Sequence, residues 1–409
     1  MKNEYLKFLP LSILYLILIV LISSNTLQGD EKGYVAYANR LSLGTYFPQL
    51  DISLWWGPGY PIILTPFVHW KLPLIAAKLL NSIFLLGAVI YFYKSLDLYI
   101  KKKYATILAF LLGLYPPLLR EIHLLMTESF VFFLVCGFMY HYCKIFRKPQ
   151  IHWFHIFLSS MYLGYLAITK IFFGYVILAS ILLYSFLFVW QRKEWFMKTT
   201  LINLLALTFC IPFLLITYLY SGKIFYWGTS GGMSLYWMSS PYNSELGDWF
   251  SFKDVEERPE LSQHRNFFEK IDFLSNIEKD EAFKKKAVEN IIEHPLKYAI
   301  NWVANIGRLF FSYPFSYTPQ KFSTYFYLVP NMFIFVFLAL SIYPAFLRRK
   351  FIPYEIYTLT VFTLTALGGT SLLSAYDRQF RPLVPILSLW LSFLYFRVLK
   401  IEIRTENEV

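Results

Sequence analysis

The chain has 409 residues, of which 57% are hydrophobic, 21% aromatic and only 16% charged, and it carries a net charge of +12. Soluble domains run about 45–50% apolar and about 25% charged, so this composition excludes a disordered chain, a coiled coil and an ordinary cytosolic enzyme, and predicts a multispanning membrane protein. Three cysteines, Cys136, Cys143 and Cys210, all lie in apolar stretches. An odd count there is no disulfide framework, and no Cys/His cluster has zinc-ligand spacing.

A bilayer core takes about 20 apolar residues as helix. Apolar runs near 7–24, 73–93, 104–119, 124–143, 152–169, 171–190, 199–220, 325–346, 354–373 and 382–399 predict about ten spans. The first follows Lys2 and Lys7 in the manner of a signal peptide, but no small-residue cleavage site appears in LISSNTLQGD, so it reads as a retained helix. Between this span and the next lies a long segment, 25–72, in which Tyr34, Val35, Ala38 and Leu41 fall at helical spacing opposite Lys32, Asn39 and Arg40. That pattern predicts an amphipathic helix lying on the membrane surface. The stretch 152–190 would be about 58 Å long as one helix, nearly twice the hydrocarbon thickness, so it reads as two spans turning near Thr169–Lys170.

The basic residues then set the orientation. With the N-terminus inside, Lys2/Lys7, Lys94/Lys101/Lys102/Lys103, Lys144/Arg147/Lys148, Arg192/Lys193/Lys198, Arg348/Arg349/Lys350 and Arg397/Lys400/Arg404 all fall in short inner segments. They are 18 of the 38 Lys and Arg, which accounts for the basic balance without nucleic acid. The second long outer segment is 221–324. Residues 245–297 within it hold 13 of the 26 acidic residues, so it reads as a soluble insert. DEAFKKKAVENIIEHPLKYAINWVANIGRLFF predicts a helix, a break at His294–Pro295 and a second amphipathic helix. The expected division is 1–220 as an N-terminal transmembrane catalytic module, 221–324 as an extracytoplasmic insert and 325–409 as C-terminal spans with a cytoplasmic tail.

Ionisable groups at membrane depth are costly and therefore candidates for function. They are Asp30, Glu31, Lys78, Arg120, Glu121, His123, Glu128, Lys170, Asp377, Arg378 and Arg381, and all map to the outer side. A transporter would place such groups near the midplane in two related halves. One-sided clustering suits chemistry at a membrane surface on a lipid-linked substrate. Each residue also has a plainer reading: a solvated loop start for Asp30 and Glu31, a helix-dipole partner for Glu128, a snorkelling Lys170, interfacial anchors for Arg378 and Arg381. Trp55–Trp56 reads as an aromatic belt before a stacking platform. His69, His123 and His264 have no partner at ligand spacing.

Taken together, DEKGYVAYANRLSLGTY, GPGYPIILTPF, the run from KLLNS to YPPLLREIHLLMTESF, YLAITKIFFG and YDRQFRPLVPIL resemble the GT-C class of polyprenyl-phosphate-sugar-dependent glycosyltransferases. The resemblance is to the group holding protein O-mannosyltransferases (glycosyltransferase family 39) and the lipid A aminoarabinose transferases, and spans about residues 7–399. GGMSLYWMSSPY and AVENIIEHPLKYAINW resemble that group's outer domain. Two departures stand out: Ile171 and Gly57 occupy positions where many relatives have proline. The oligosaccharyltransferase signature W-W-D-Y-G is absent despite WWGPG.

The resemblance implies an all-α polytopic GT-C-like bundle in the plasma (inner) membrane with its active site on the extracytoplasmic side. It would move a sugar from a polyprenyl-phosphate donor to an acceptor hydroxyl on a glycan, lipid or protein, with inversion. Asp30 would be the catalytic base and Glu31 would tune or position it. Lys170, Arg378, Arg381 and Lys78 would hold the donor phosphate; Tyr34, Tyr37 and Tyr60 would stack on sugar, and Glu128 would orient a basic group or meet the acceptor. No metal and no cofactor beyond the polyprenyl-phosphate sugar as co-substrate are expected, and partners are lipids rather than nucleic acid. The competing readings are a transporter or flippase of lipid-linked sugars, a Wzy-type polymerase or ligase, and a non-catalytic scaffold.

Overall fold

The computed structural model describes residues 4–45, 54–147 and 152–400. Lys2, Lys148 and Arg404 of the basic clusters lie outside these residues, as does part of the first long segment. The described residues form helices and no strand, save one isolated bridge between Phe315 and Thr318. In chain order the helices are α1 (Leu9–Ile22), α2 (Glu31–Ser42), α3 (Gly59–His69), α4 (Leu74–Leu96), α5 (Lys102–Gly113), α6 (Pro116–Leu119), α7 (Glu128–Phe146), α8 (Trp153–Thr169), α9 (Phe172–Gln191) and α10 (Glu194–Ser221). An insert follows, with α11 (Ser230–Met238), α12 (Phe252–Glu257), α13 (Ser262–Ile271), α14 (Asn276–Glu293) and α15 (Pro295–Phe311). The chain then returns through α16 (Tyr325–Leu347), α17 (Tyr354–Ser371), α18 (Asp377–Phe380) and α19 (Val384–Phe393).

Five helices, α4, α7, α9, α10 and the one ending at Leu347, are long and apolar enough to cross a membrane. The other expected spans are helical but shorter or less apolar, and 104–119 is broken at Leu114–Tyr115 before Pro116. Large apolar side chains such as Leu182, Phe186 and Val189 on α9 and Phe333, Leu340 and Tyr343 on α16 stand exposed. Such a continuous apolar surface suits lipid and not water, and this is the build of an integral membrane protein.

The bundle is organised around α7, which is buried along most of its length and packs on α4 on one side and α8 on the other, with α10 covering α8. The turn near Thr169–Lys170 separates α8 from α9 as the length argument requires. The helix foreseen over Lys32–Leu43 is α2 (Glu31–Ser42), and much of its apolar face is taken up by the protein itself. Tyr34, Tyr37 and Ala38 are buried in the protein, against Trp56 and α3, a short helix the sequence reading did not foresee. Gly59–His69 is only 11 residues, with Pro61 in its first turn and Pro66 inside it, too short to register as a span.

The insert has a core of its own around Tyr236, Trp237, Phe250, Phe268 and Phe283. Its helices start where the side chains dictate: Ser251 with Asp254 and Ser275 with Glu278 form reciprocal capping boxes, and Pro295 opens α15 immediately after the break at His294. Asp280 on α14 accepts from Gly232 N (2.6 Å) and Tyr226 Oη (2.9 Å), which binds α11 to α14. Buried Glu245 accepts from Gln263 (2.6 Å) and lies 2.8 Å from His264 Nε2, whose Nδ1 meets Tyr236 Oη at 2.6 Å.

Candidate functional site

Three segments distant in sequence converge at one end of the bundle: the start of α2, the turn between α8 and α9, and the α17–α18 loop. Their arrangement is set by buried anchors. Glu31, fully buried, accepts from Gln28 N (2.8 Å) and Leu125 N (2.7 Å), and lies 3.9 Å from the equally buried Lys78 ammonium. Lys78 also donates to Ser24 O at 2.8 Å, and Asn81 one turn on donates to Ile122 O and Leu124 O, each at 2.8 Å. The end of α1, the start of α2 and the approach to α7 are thereby fixed on α4. The Glu31 carboxylate, the Lys78 ammonium and the Asn81 amide N–H groups thus each have partners, as the cost of burying a bare charge or donor demands.

The second segment is positioned by close approach. A Cβ at Gly57 would overlap Ile168 O, and one at Gly59 would overlap the Thr169 side chain. Tyr165 Oη adds a 3.0 Å bond to Gly59 O. The Gly57–Pro58–Gly59 step is thus pressed onto the C-terminal turn of α8, where proline at 57 would not fit. Lys170, the next residue, is mostly buried and pairs with Glu128 at the start of α7 at 3.1 Å. Burial pulls its ammonium below the ordinary lysine range, with Glu128 opposing that shift.

The third segment is held from the insert. On α15, Asn301, Asn305 and Arg308 form a stripe at i, i+4 and i+7 that is fully buried. Asn305 donates to Ser371 O (2.8 Å) and Leu373 O (2.6 Å) and accepts from Ala375 N (2.9 Å), which pins the α17–α18 loop. Asn301 holds Met238 O and Ser240 O, and Arg308 holds Leu246 O and Pro314 O. Beyond that loop, Arg378 on α18 donates to Asp30 Oδ2 at 2.7 Å, both side chains being about one third exposed.

A cleft of about 230 Å³ lies between the three segments. Asp30, Lys170 and Arg378 line it together with Tyr34, and so do Trp55, Trp249 and Tyr376. The other sequence-selected residues do not line it. Glu128 stands behind Lys170 as its ion-pair partner. Glu31 and Lys78 are committed to each other and to backbone. Arg381 is nearly fully buried, paired with Glu121 at 2.6 and 3.0 Å, with Asp377, and with Pro117 O. Tyr37 and Tyr60 are buried in an aromatic cluster, Tyr60 edge-on to Tyr34 at 5.3 Å and Tyr37 against Trp56 at 5.7 Å. Among the described residues, no three His, Cys, Asp or Glu side chains gather as a metal site.

Sequence reasoning missed the insert's share of the cleft, Ser230, Ser234 and Trp249, and the loop residues Ser374 and Tyr376. Trp55 and Trp56, read as a membrane belt, turn out to line the cleft as well. The one available signal was the polar stripe of α15 within an otherwise apolar helix face.

The other end of the bundle has a different character. Lys102 and Tyr93 bind Glu4, Arg147 reaches Leu98 O, and Lys94 lies over the Tyr140 ring at 4.7 Å. These belong to the predicted inner clusters, so the cleft and the basic loops occupy opposite ends.

No protein-family model and no curated protein matches the chain. Among solved structures it is similar to the archaeal oligosaccharyltransferase AglB from Archaeoglobus fulgidus, solved with an inhibitory peptide and a dolichol-phosphate, with a TM-score of 0.51 and 12% identity over 99% of this chain and 53% of that one. ArnT from Cupriavidus metallidurans bound to undecaprenyl phosphate matches at a TM-score of 0.41 and 11% identity, over 95% of this chain and 76% of that one. The fold assignment rests on the first. The chain spans about half the length of AglB and shares its fold, which is the GT-C architecture that the sequence motifs resemble.

Proposed function

We propose that the protein is a membrane glycosyltransferase that moves a sugar from a polyprenyl-phosphate donor to an acceptor hydroxyl at the extracytoplasmic face. The observation that carries this reading is the meeting of one carboxylate, Asp30, with two cations, Lys170 and Arg378, in a single cleft at the end of the bundle opposite the basic loops. The dolichol-phosphate bound by AglB supports a lipid phosphate as the ligand class. Its oligosaccharyltransferase activity is not carried over, since W-W-D-Y-G is absent here.

In this reading the phosphate of the donor sits between Lys170 and Arg378, where charge-assisted contacts are strongest. Arg378 then exchanges its Asp30 partner for phosphate oxygens, and the Asp30 carboxylate is released toward the acceptor. Asp30 takes the hydroxyl proton as the acceptor oxygen bonds to the anomeric carbon. The bond from that carbon to the phosphate oxygen breaks, its electron pair leaves with the polyprenyl phosphate, and the two cations stabilise the departing charge. Attack opposite the phosphate inverts the anomeric centre. Glu128 holds Lys170 in place, and Glu31, Lys78 and Arg381 act as buried supports rather than as ligands. A flippase would use the same phosphate contacts without a base. The deciding experiment is transfer of radiolabelled sugar from polyprenyl phosphate by the purified protein in nanodiscs. Donor binding without transfer to any glycan, lipid or peptide acceptor would favour the flippase.

A further inference from the structure

The cleft has two unlike ends. Among the described residues, Asp30, Lys170 and Arg378 supply the ionised groups that line it. The remainder is aromatic rings and small hydroxyl side chains, drawn largely from the insert and from the loop that Asn305 pins. Trp55 and Trp249 approach with ring centroids 5.7 Å apart and planes tilted by 59°. Tyr376 closes the same wall, its hydroxyl bridging Trp249 N (3.1 Å) and Trp249 O (3.2 Å) while its ring stacks on Phe315.

Two polar groups in this neutral wall have nothing to bind. Ser374 is 7% exposed, and its Oγ has no hydrogen-bond partner. The Trp249 indole Nε1 is buried and likewise unpartnered. Their positions are not accidental: Ser374 N donates to Ser234 O at 3.1 Å, and Tyr376 clamps the Trp249 backbone. Unpartnered buried groups recur in the chain, Trp227 Nε1 and Trp237 Nε1 in its cores among them, but Ser374 and Trp249 belong to residues that line the cleft, where a ligand's polar atoms would offset that cost. The ligand must offer a flat apolar face to indole rings together with oxygens at its edge, and it must be uncharged there. A sugar ring has both, with C–H bonds on its faces and hydroxyls around its rim.

We infer that Trp55, Trp249, Ser374 and Tyr376 form a subsite for a neutral sugar ring beside the charged end of the cleft. This rests on the reading of the cleft as a glycosyl-transfer site, and the ring belongs either to the donor or to a glycan acceptor. Trp249 Nε1 donates to a ring hydroxyl, and Ser374 Oγ donates or accepts.

The test uses the full chain in nanodiscs, free of sugar detergents, with the methyl glycosides of glucose, galactose, mannose and N-acetylglucosamine as probes and saturation-transfer NMR as readout. At least one glycoside is expected to bind saturably. Trp249→Phe keeps a ring but removes the N–H, and Ser374→Ala removes the hydroxyl; each should weaken that glycoside by about two- to tenfold. Undecaprenyl phosphate should bind both variants like the parent. Displacement of the glycoside by undecaprenyl phosphate carrying that same sugar, but not by undecaprenyl phosphate, assigns the subsite to the donor's sugar; displacement by neither assigns it to the acceptor. No saturable binding of any of the four to protein that still binds undecaprenyl phosphate overturns the subsite, as does unchanged affinity in both variants. Loss of undecaprenyl phosphate binding in the parent, with glycoside binding intact, would instead defeat the phosphate assignment and leave the sugar subsite standing.

Discussion

Asp30→Asn separates a catalytic role from a structural one, because the structure limits what else the change can do. Asp30 occupies the N-cap position of α2, but its side chain makes no capping bond, and Asn is as good as Asp there, so no helix-start penalty arises. Among the described residues its ionic partner is Arg378, in a pair that is about one third exposed. Partly solvated pairs of this kind contribute about 0.2–1 kcal/mol, and Asn retains a hydrogen bond to the guanidinium, so thermal stability should hardly move. The unpaired Arg378 should bind the donor phosphate at least as tightly as before. Against that background, loss of a general base should lower transfer by about 10²–10⁴-fold. The assay is single-turnover transfer of radiolabelled sugar from polyprenyl phosphate, run beside donor binding and thermal unfolding of the same preparation. Near-normal transfer with tighter donor binding would reduce Asp30 to a counter-ion and refute the reasoning.

Lys170→Ala should weaken donor binding about ten- to a hundredfold, the loss of a charge-assisted contact of about 1.5–3 kcal/mol, and unchanged affinity would leave Arg378 as the sole phosphate ligand. Because burial holds the free Lys170 ammonium below the ordinary lysine range, it loses its proton at lower pH than an exposed lysine. Donor affinity should therefore fall with rising alkalinity earlier than lysine chemistry alone predicts, and Lys170→Arg should flatten that fall; a flat profile in the parent counts against the assignment. Glu31→Ala strands the buried Lys78 charge and should cost about 3–5 kcal/mol, read as a lower unfolding temperature. In the insert, hydrogen bonds from His264, Ser240 and Gln263 outweigh burial and hold Glu245 below the usual carboxylate range. A depressed folded-state value stabilises above the unfolded carboxylate pKa and is lost as pH falls through the folded one. Glu245→Gln should therefore remove part of the acid sensitivity of insert proteolysis. A cysteine at Ser262 should react with an impermeant maleimide from outside the cell while one at Lys350 should not, and the reverse would overturn the sidedness of the site.

Much of the architecture was legible in the chain because it follows from local rules. Span positions come from runs of apolar side chains, the break before Pro295 from a missing N–H, and the hairpin at Lys170 from the mismatch between helix length and bilayer thickness. Asp30, Lys170 and Arg378 were legible as candidates among the other outer charges, because a charge beside a span is expensive wherever the chain places it. What the sequence could not decide is which charges face one another. Lys78 and Arg381 carry the same chemistry as Lys170 and Arg378, and only packing buries the first two against Glu31 and Glu121 while it leaves the others at a cleft. The same holds for aromatics. Tyr37, Tyr60, Trp55 and Trp249 are alike in composition, and their division between core and cleft wall depends on contacts between residues far apart in the chain. The α15 stripe of Asn301, Asn305 and Arg308 could equally have faced water. Its burial against three loops is a tertiary result, since a polar side chain is satisfied by solvent or by backbone carbonyls, and only the folded neighbours determine which.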